Sequence, residues 1–184
     1  AATGQIRLAH AYEASLARHA ITVAQILLSP DDTEERRRHL NARATMTALL
    51  GLGAVPVINE NDTVATAEIR FGDNDRLGAR VAQMVSADCL VLLSDIDGLY
   101  ETDPRGNAGA IHIPEVKALT GEIEAMAGPA TNSYASGGMV TKIEAARIST
   151  AAGCRMIIAK GTEANPLSAL AKGARHTVFR AAAT

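Results

Sequence analysis

Apolar and polar positions along the chain form blocks that predict helices and strands in regular alternation. Helical spacing and capping residues predict helices over residues 5–19, 33–50, 73–86, 120–127, 139–152 and 165–172. Short apolar runs predict buried strands at residues 21–28, 55–58, 89–93, 154–159 and 177–179. Between two of these elements, residues 63–71 alternate in the manner of a short hairpin or flap.

Regular helix and strand alternation predicts an α/β fold, a three-layer αβα sandwich with a mainly parallel sheet covered by helices on both faces. Right-handed crossovers place the carboxyl ends of such strands along one edge, where ligands bind. Three predicted strands end in polar residues, at 59–62, 94–95 and 160–162. We therefore expect these three clusters to converge in space and to form a binding site.

Composition narrows the class of protein. With 184 residues and 47% hydrophobic content, we expect one soluble domain, its core built from Ala, Val, Ile and Leu because aromatic residues make up only 3%. A net charge of -2, without a basic cluster beyond Arg36–Arg38, argues against nucleic acid or a membrane as a partner. Cys89 and Cys154 have no metal-binding spacing, and two buried thiols predict a cytoplasmic protein.

Short amides and carboxylates are concentrated between residues 55 and 75. Asn59 and Asp62 follow a predicted strand, and the triplet Asp73, Asn74 and Asp75 precedes a predicted helix. Such groups in a pocket suit a small zwitterion, because carboxylates pair with an ammonium and amides with a carboxylate. Turn formation at the strand end and helix capping by the triplet are the alternatives. A calcium loop is excluded, since the required glycine and glutamate are missing after Asp73.

A second candidate lies at the predicted start of a helix, in the run Gly137-Gly138-Met139-Val140-Thr141-Lys142. Glycines let backbone amides approach an anion, the helix N-terminus favours negative charge, and Lys142 follows about one turn later. The run predicts a phosphate site, although it matches neither G-x-x-x-x-G-K-[ST] nor G-x-G-x-x-G. A flexible helix entry with a surface lysine explains the same residues on local grounds.

Three stretches together resemble the glutamate 5-kinases, a branch of the amino-acid kinase superfamily. Residues 55–82, VPVINENDTVATAEIRFGDNDRLGARVA, are similar to the substrate-binding stretch of that family. Residues 92–100, LLSDIDGLY, with Asp103-Pro104, resemble its nucleotide-binding strand end, and residues 136–142, SGGMVTK, resemble its second nucleotide loop. The NEND and GDND pair separates this branch from uridylate, carbamate, aspartate and acetylglutamate kinases.

The resemblance implies a role for each matching residue. Residues that would hold L-glutamate are Asn59, Asp62 and Asn74. Residues that would hold ATP are Ser94, Asp95, Ser136, Gly137, Gly138, Met139, Val140, Thr141 and Lys142. Residues with an implied catalytic role are Asp75 and Asp73, which would orient lysines, and Lys142, which would neutralise charge on the transferring group.

The implied reaction is ATP- and Mg²⁺-dependent phosphorylation of the glutamate side-chain carboxylate, the first step of proline synthesis. No general base is needed, because that carboxylate is already ionised at pH 7. The resemblance also implies proline as a feedback inhibitor and a homodimer or homotetramer. No residues of the chain are predicted to form a metal site of their own.

The sequence departs from the family at both ends. The family begins with strands that carry a catalytic lysine and a Ser-Gly-Ala loop, and many members end in a PUA domain. We therefore expect residues 1–184 to be an amino-acid kinase domain with its N-terminal strands missing and without a PUA domain. Such a fragment would lack part of the phosphate site and could be inactive alone. The alternatives are a non-catalytic amino-acid or nucleotide binding fragment, or another member of the superfamily.

Overall fold

The structure, a computed structural model, describes residues 2–61, 73–128 and 138–182. Contacts between residues divide the chain into two compact units, Ala1–Leu77 and Gly78–Thr184, which we call unit 1 and unit 2. The predicted flap at residues 63–71 lies outside the described residues. The expectation of a single domain, incomplete at its N-terminus, stays a prediction.

Unit 1 is built from helices and a parallel strand pair. Its elements are α1 (Ala2–Ala17), β1 (Val23–Leu28), α2 (Asp31–Glu34), α3 (Arg36–Gly51) and β2 (Val55–Glu60), followed by the start of α4 (Asn74–Met84). Strands β1 and β2 run parallel, with Val23 opposite Val55 and Leu28 opposite Glu60. The polar end of β2 therefore leaves the sheet beside the end of β1, as the strand pattern predicted.

The helix predicted over residues 33–50 is confirmed for most of its length by α3, but its predicted start is wrong, because a separate short helix, α2, precedes it and the two are interrupted at Glu35. The backbone of Glu35 is extended, with φ −78° and ψ 119°, which is incompatible with a continuous helix. Before this break, the Asp32 carboxylate accepts hydrogen bonds from the Ser29 amide and hydroxyl, both at 2.7 Å. These bonds stabilise α2 as a separate turn.

Strands β1 and β2 were expected to be fully buried, and the structure corrects this. Leu28 is buried, but most residues of both strands are half-buried and Val55 is exposed. In a sheet of two strands each strand is an edge, so neither is enclosed by strand neighbours on both sides. Both strands nevertheless pack against helices of unit 1: β1 contacts α1, and β2 contacts α3.

Unit 2 contains a four-stranded sheet and a small hairpin. Its elements after α4 are β3 (Cys89–Ser94), β4 (Leu99–Tyr100), β5 (His112–Ile113), β6 (Glu115–Val116), α5 (Gly121–Met126), α6 (Met139–Ala151), β7 (Arg155–Lys160), α7 (Pro166–Ala171) and β8 (His176–Phe179). The sheet order is β3-β7-β8-β6, and β4 pairs with β5 in the antiparallel hairpin. Strands β3 and β7, and β6 and β8, are parallel, whereas β7 and β8 are antiparallel. The α/β character and the mainly parallel pairing are as predicted.

The core of unit 2 differs in composition from the expectation. Ala, Ile, Leu and Val contribute, but Met84, Met156 and Phe179 are at most 1% exposed and are among its largest side chains. In unit 1, Met46 is completely buried. Unbranched methionine fills irregular space between helices and strands, so a core poor in aromatic residues uses it alongside aliphatic side chains.

Within the described residues, every helix is too short or too polar to cross a membrane. Both cysteines are free thiols, Cys154 buried and Cys89 half-buried.

Candidate functional site

Unit 2 contains a cavity of about 600 Å³. Three segments form its wall: the end of β3 with the loop and hairpin strand that follow, the end of α5, and the start of α6. The described residues that line it are Ser94, Asp95, Ile96, Leu99, Tyr100, Glu101, Thr102, Asp103, Pro104, Arg105, Ala125, Met126, Ala127, Gly128, Gly138, Met139 and Lys142. The cavity thus combines apolar walls with a few charged and hydroxyl groups, as small-molecule sites do.

Close packing of β3 against β7 places Ser94 at the cavity. Ser94 lies opposite Lys160 in the parallel pair, and the Gly161 amide donates a 2.7 Å hydrogen bond to the Ser94 carbonyl. A Cβ atom on Gly161 would lie 2.8 Å from the Cβ of Leu93, so only glycine fits there. Two of the three polar strand ends therefore meet, as the sequence predicted; the third, at residues 59–62, belongs to unit 1.

Asp95 is the acidic centre of the cavity wall. The Ser94 hydroxyl donates a 3.0 Å hydrogen bond to one carboxylate oxygen, and the Arg105 guanidinium donates a 2.5 Å bond to the other. The bond from Ser94, followed by the charges of Arg105 and Lys142, lowers the pKa of Asp95 below its ordinary value. The Asp95 carboxylate thus lies near two cationic side chains that line the cavity, Arg105 and Lys142.

The start of α6 supplies the other side of the cavity. Gly138 is the N-cap residue, and the Thr141 hydroxyl donates a 2.8 Å hydrogen bond back to its carbonyl oxygen. The first turn of α6 contains no acidic residue, and the amino end of a helix favours an anion. Lys142 lines the cavity although the residue is only 6% exposed. This half of the site is suited to an anion.

Tyr100, on hairpin strand β4, forms part of the wall and belongs to a polar cluster. Its hydroxyl donates to Asp97 at 2.7 Å and accepts from Arg175 at 3.4 Å. Its ring meets the His112 ring edge to face, with centroids 5.2 Å apart. Burial, followed by the bond to Asp97, raises the pKa of Tyr100, and burial lowers the pKa of His112. Both side chains are therefore uncharged at neutral pH.

The structure brings most of the described ATP-side candidates together. Ser94, Asp95, Gly138, Met139 and Lys142 line the one cavity, as expected from their strand-end and helix-start positions. Thr141 is buried in the first turn of α6, where its hydroxyl bonds to the Gly138 carbonyl, and Val140 is half-buried in the same helix; neither lines the cavity. Ser136 and Gly137 lie outside the described residues.

On the glutamate side, the Asn59 side chain is held between its own strand and α1. Its Nδ2 donates a 3.3 Å bond to Gln5, and its Oδ1 accepts a 2.9 Å bond from the Glu60 amide. The Gln5 side chain also donates to the Glu60 carbonyl at 3.3 Å. Asp62 lies outside the described residues, so the predicted grouping of these residues around a ligand stays a prediction.

The triplet at the start of α4 includes a helix cap. Asp73 accepts a 2.8 Å hydrogen bond from the Arg76 amide, which is the capping role weighed for the triplet. The side chain of Asp73 is 5% exposed, and burial raises the pKa of its carboxyl. Its Oδ2 lies 3.6 Å from the Arg76 guanidinium and has no hydrogen-bond partner among the described residues. Asn74 is exposed and Asp75 half-buried in the first turn.

Several wall residues had not been assigned to the site from the sequence. Glu101, Thr102 and Arg105 follow β4, and Ala125 and Met126 end α5. Residues 102–107, TDPRGN, have the composition of a turn and closely follow the LLSDIDGLY stretch, and that proximity was the available clue. The end of α5 carried no polar signal, because its contribution to the wall is apolar.

The chain is similar to curated proteins over almost its entire length. It is 68% identical over 179 residues to glutamate 5-kinase of Paramagnetospirillum magneticum, covering 97% of this chain and 48% of that protein. It is 62% identical over 181 residues to glutamate 5-kinase of Gluconobacter oxydans, covering 98% of this chain and 48% of that protein. The chain thus spans about half the length of the curated relatives it matches.

Solved structures share the fold at low sequence identity. UMP kinase from Ureaplasma parvum matches with a TM-score of 0.64 and 13% identity, over 97% of this chain and 68% of that chain. Carbamate kinase from Giardia lamblia bound to AMP-PNP matches with a TM-score of 0.51 and 20% identity, over 75% and 44% of the two chains. The expected fold class is thereby confirmed. The family model described as "Amino acid kinase family" matches residues 1–160, and this chain belongs to that family.

Proposed function

We propose that the protein carrying this chain transfers the γ-phosphoryl group of ATP to the side-chain carboxylate of L-glutamate. The observation that carries the proposal is the unit 2 cavity, where Ser94, Asp95, Gly138, Met139 and a nearly buried Lys142 lie together. The identity of 68% to a glutamate 5-kinase supports glutamate as the acceptor. The fold neighbour solved with AMP-PNP is consistent with an ATP-type ligand.

Lys142 and the amino end of α6 would bind the phosphate groups. The transferring group carries negative charge on its oxygens, and a lysine in a cavity of low dielectric stabilises such charge more than an exposed lysine does. In the reaction, a glutamate carboxylate oxygen forms a bond to the γ-phosphorus while the bond from that phosphorus to the ADP oxygen breaks. No proton moves, because the acceptor is ionised before the reaction.

Mg²⁺ would accompany ATP rather than occupy a site built by the protein alone. Among the described residues no cluster of three or more His, Cys, Asp or Glu is arranged to hold a metal ion. The carboxylates of Asp95, Glu101 and Asp103 line the cavity, and one or two carboxylates with substrate phosphates are the usual Mg²⁺ ligands. When bound, Mg²⁺ would neutralise charge on the phosphate oxygens.

The remaining parts of the proposal concern glutamate and regulation. Asn59, Asp62 and Asn74 would hold glutamate, and Asp75 with Asp73 would orient lysines. For Asp73 this role is additional to the helix cap described above. We further propose that proline is a feedback inhibitor and that the protein forms a homodimer or homotetramer. Its proposed location is the cytoplasm, where both cysteines stay reduced.

Trapping of the product by hydroxylamine tests the reaction. Glutamyl 5-phosphate is an acyl phosphate, so the intact protein with MgATP, L-glutamate and hydroxylamine is expected to produce a hydroxamate. Aspartate and N-acetylglutamate serve as competing acceptors that would indicate another member of the family. Absence of hydroxamate from a folded protein that still binds ATP would favour the non-catalytic binding alternative.

A variant at Asn74 distinguishes glutamate binding from ATP binding in the same assay. Asn74→Ala is expected to raise the KM for glutamate about tenfold or more, since it removes a hydrogen-bonding side chain from a charged ligand. The KM for ATP is expected to stay near that of the unaltered protein. An equal rise in both KM values would remove Asn74 from the glutamate site.

A further inference from the structure

The hydroxyl of Thr177 on β8 is completely buried and joins two sheets of unit 2. It accepts a 2.7 Å hydrogen bond from the Leu99 amide and donates a 2.6 Å bond to the Ile113 carbonyl. Leu99 and Ile113 lie opposite each other in the β4–β5 hairpin, whereas Thr177 pairs with Ile158 in the four-stranded sheet. One side chain thus fixes both strands of the hairpin to the main sheet.

The hairpin depends on outside support because it is small. Each of its strands has only two residues, and an isolated two-stranded hairpin is at best marginally stable. Loss of the Thr177 hydroxyl would take this partner away from the buried Leu99 N–H and from the half-buried Ile113 C=O, and for the buried N–H this costs more than the loss of an exposed hydrogen bond. The hairpin would then have to shift or admit water.

Close packing around Gly98 shows that the hydroxyl is held at a defined position. A Cβ atom on Gly98 would lie 2.5 Å from the Thr177 Oγ1 and 2.5 Å from the His112 Nε2. The Thr177 hydroxyl also lies 3.4 Å from that histidine nitrogen. The chain therefore passes the Thr177 hydroxyl with no space for a side chain, immediately before it enters the cavity wall at Leu99.

The hairpin is part of the proposed nucleotide site. Leu99 and Tyr100 line the cavity, and the loop that follows them contributes Asp103 and Arg105 to the same wall. A shift of β4 would therefore move the wall, whereas Thr177 itself does not line the cavity. We propose that Thr177 is a positioning residue of the nucleotide site, which fixes the β4 wall before the nucleotide binds. This inference rests on the proposed function, since it assumes that the cavity binds ATP.

Titration of MgATP into the intact protein and its Thr177 variants tests the inference. Thr177→Val keeps the shape and removes the hydroxyl, and we expect the Kd for MgATP to rise about tenfold. Thr177→Ser keeps the hydroxyl and is expected to bind within about threefold of the unaltered protein. The KM for glutamate is expected to change little in both variants, which a general loss of structure would not produce.

Thr150→Val is the matched control. Thr150 is also buried in unit 2, but its hydroxyl donates a 2.7 Å hydrogen bond to the Ala146 carbonyl within its own helix, α6, rather than to the hairpin. We expect this variant to lose stability while it keeps its affinity for MgATP. Equal losses of affinity in Thr150→Val and Thr177→Val would overturn the positioning role, as would a folded Thr177→Val with unchanged affinity.

Amide hydrogen exchange provides a second readout if Thr177→Val does not fold. In the unaltered protein without nucleotide, the Leu99 amide is expected to exchange slowly, because its acceptor is a buried hydroxyl. Exchange at the rate of an open loop would overturn the inference. Failure of the folded, unaltered protein to bind MgATP would count against the proposed function. A slowly exchanging Leu99 amide together with unchanged MgATP affinity in Thr177→Val would count against the positioning role alone.

Discussion

Replacement of Lys142 by methionine is expected to lower the kcat of phosphoryl transfer by about two orders of magnitude or more. Methionine keeps an unbranched stem in a residue that is 6% exposed, so the main loss is the positive charge beside the cavity. That charge lies close enough to Asp95 to contribute to its lowered pKa. Phosphate oxygens at the same place would lose their cationic partner. Steady-state kinetics on the intact protein measures the effect.

The control for this prediction is Lys172→Met. Lys172 is exposed at the C-cap of α7 and does not line the cavity. The same chemical change there is expected to leave kcat within about twofold of the unaltered protein, as for most surface substitutions. A Lys142→Met protein that is folded and retains full kcat would show that the amino end of α6 is not the phosphate side of the site.

Replacement of Gly98 by alanine is expected to destabilise the protein by about 2 kcal/mol or more and to weaken ATP binding with it. The new Cβ would lie 2.5 Å from both the Thr177 hydroxyl and the His112 ring. The backbone of Gly98 has a φ of +158°, at the edge of the range that residues with a side chain rarely adopt. To relieve this clash, the β4–β5 hairpin, and with it the cavity wall, would have to move away from β8. Thermal unfolding and MgATP titration measure the two effects.

Gly106→Ala is the matched control in the adjoining loop. The nearest atom to a Cβ on Gly106 would be the Asp103 carbonyl oxygen at 4.0 Å, which is ordinary contact. We expect the free energy of unfolding of this variant to lie within about 0.5 kcal/mol of that of the unaltered protein. If Gly98→Ala changed stability and MgATP affinity as little as Gly106→Ala, the close approach of Gly98 to Thr177 would not be what holds the cavity wall in place.

Local signals in the sequence predicted much of the fold. Strand β3 and helix α6 were found because apolar runs and glycine mark them, and their observed bounds, Cys89–Ser94 and Met139–Ala151, are close to those predicted. Helix capping by the triplet at residues 73–75, weighed as one alternative because Asp and Asn are common N-cap residues, is confirmed at Asp73. Strands β4, β5 and β6 were not predicted, because two residues are too few to show a period. The antiparallel pairing of β7 with β8 depends on long-range packing.

The site divides in the same way. Ser94, Asp95 and Lys142 could be proposed as nucleotide-site residues from the sequence, because each lies in a short contiguous motif and such motifs are what reveals a family resemblance. Thr177 could not, since its bond to Leu99 joins residues 78 positions apart and no periodicity reports a contact of that range. Arg105 was likewise part of a loop whose folding back onto Asp95 only the structure shows. Residues that position a site from a distant element are therefore the ones that sequence reasoning misses.

Hydrogen exchange of the intact protein with and without MgATP tests most directly whether the unit 2 cavity is the nucleotide site. We predict that MgATP slows amide exchange at residues 94–105 and 138–142, the two segments that carry the polar wall, and that Lys142→Met reduces this protection. Slowed exchange confined to other parts of the chain, or protection of the same extent in Lys142→Met, would contradict the assignment.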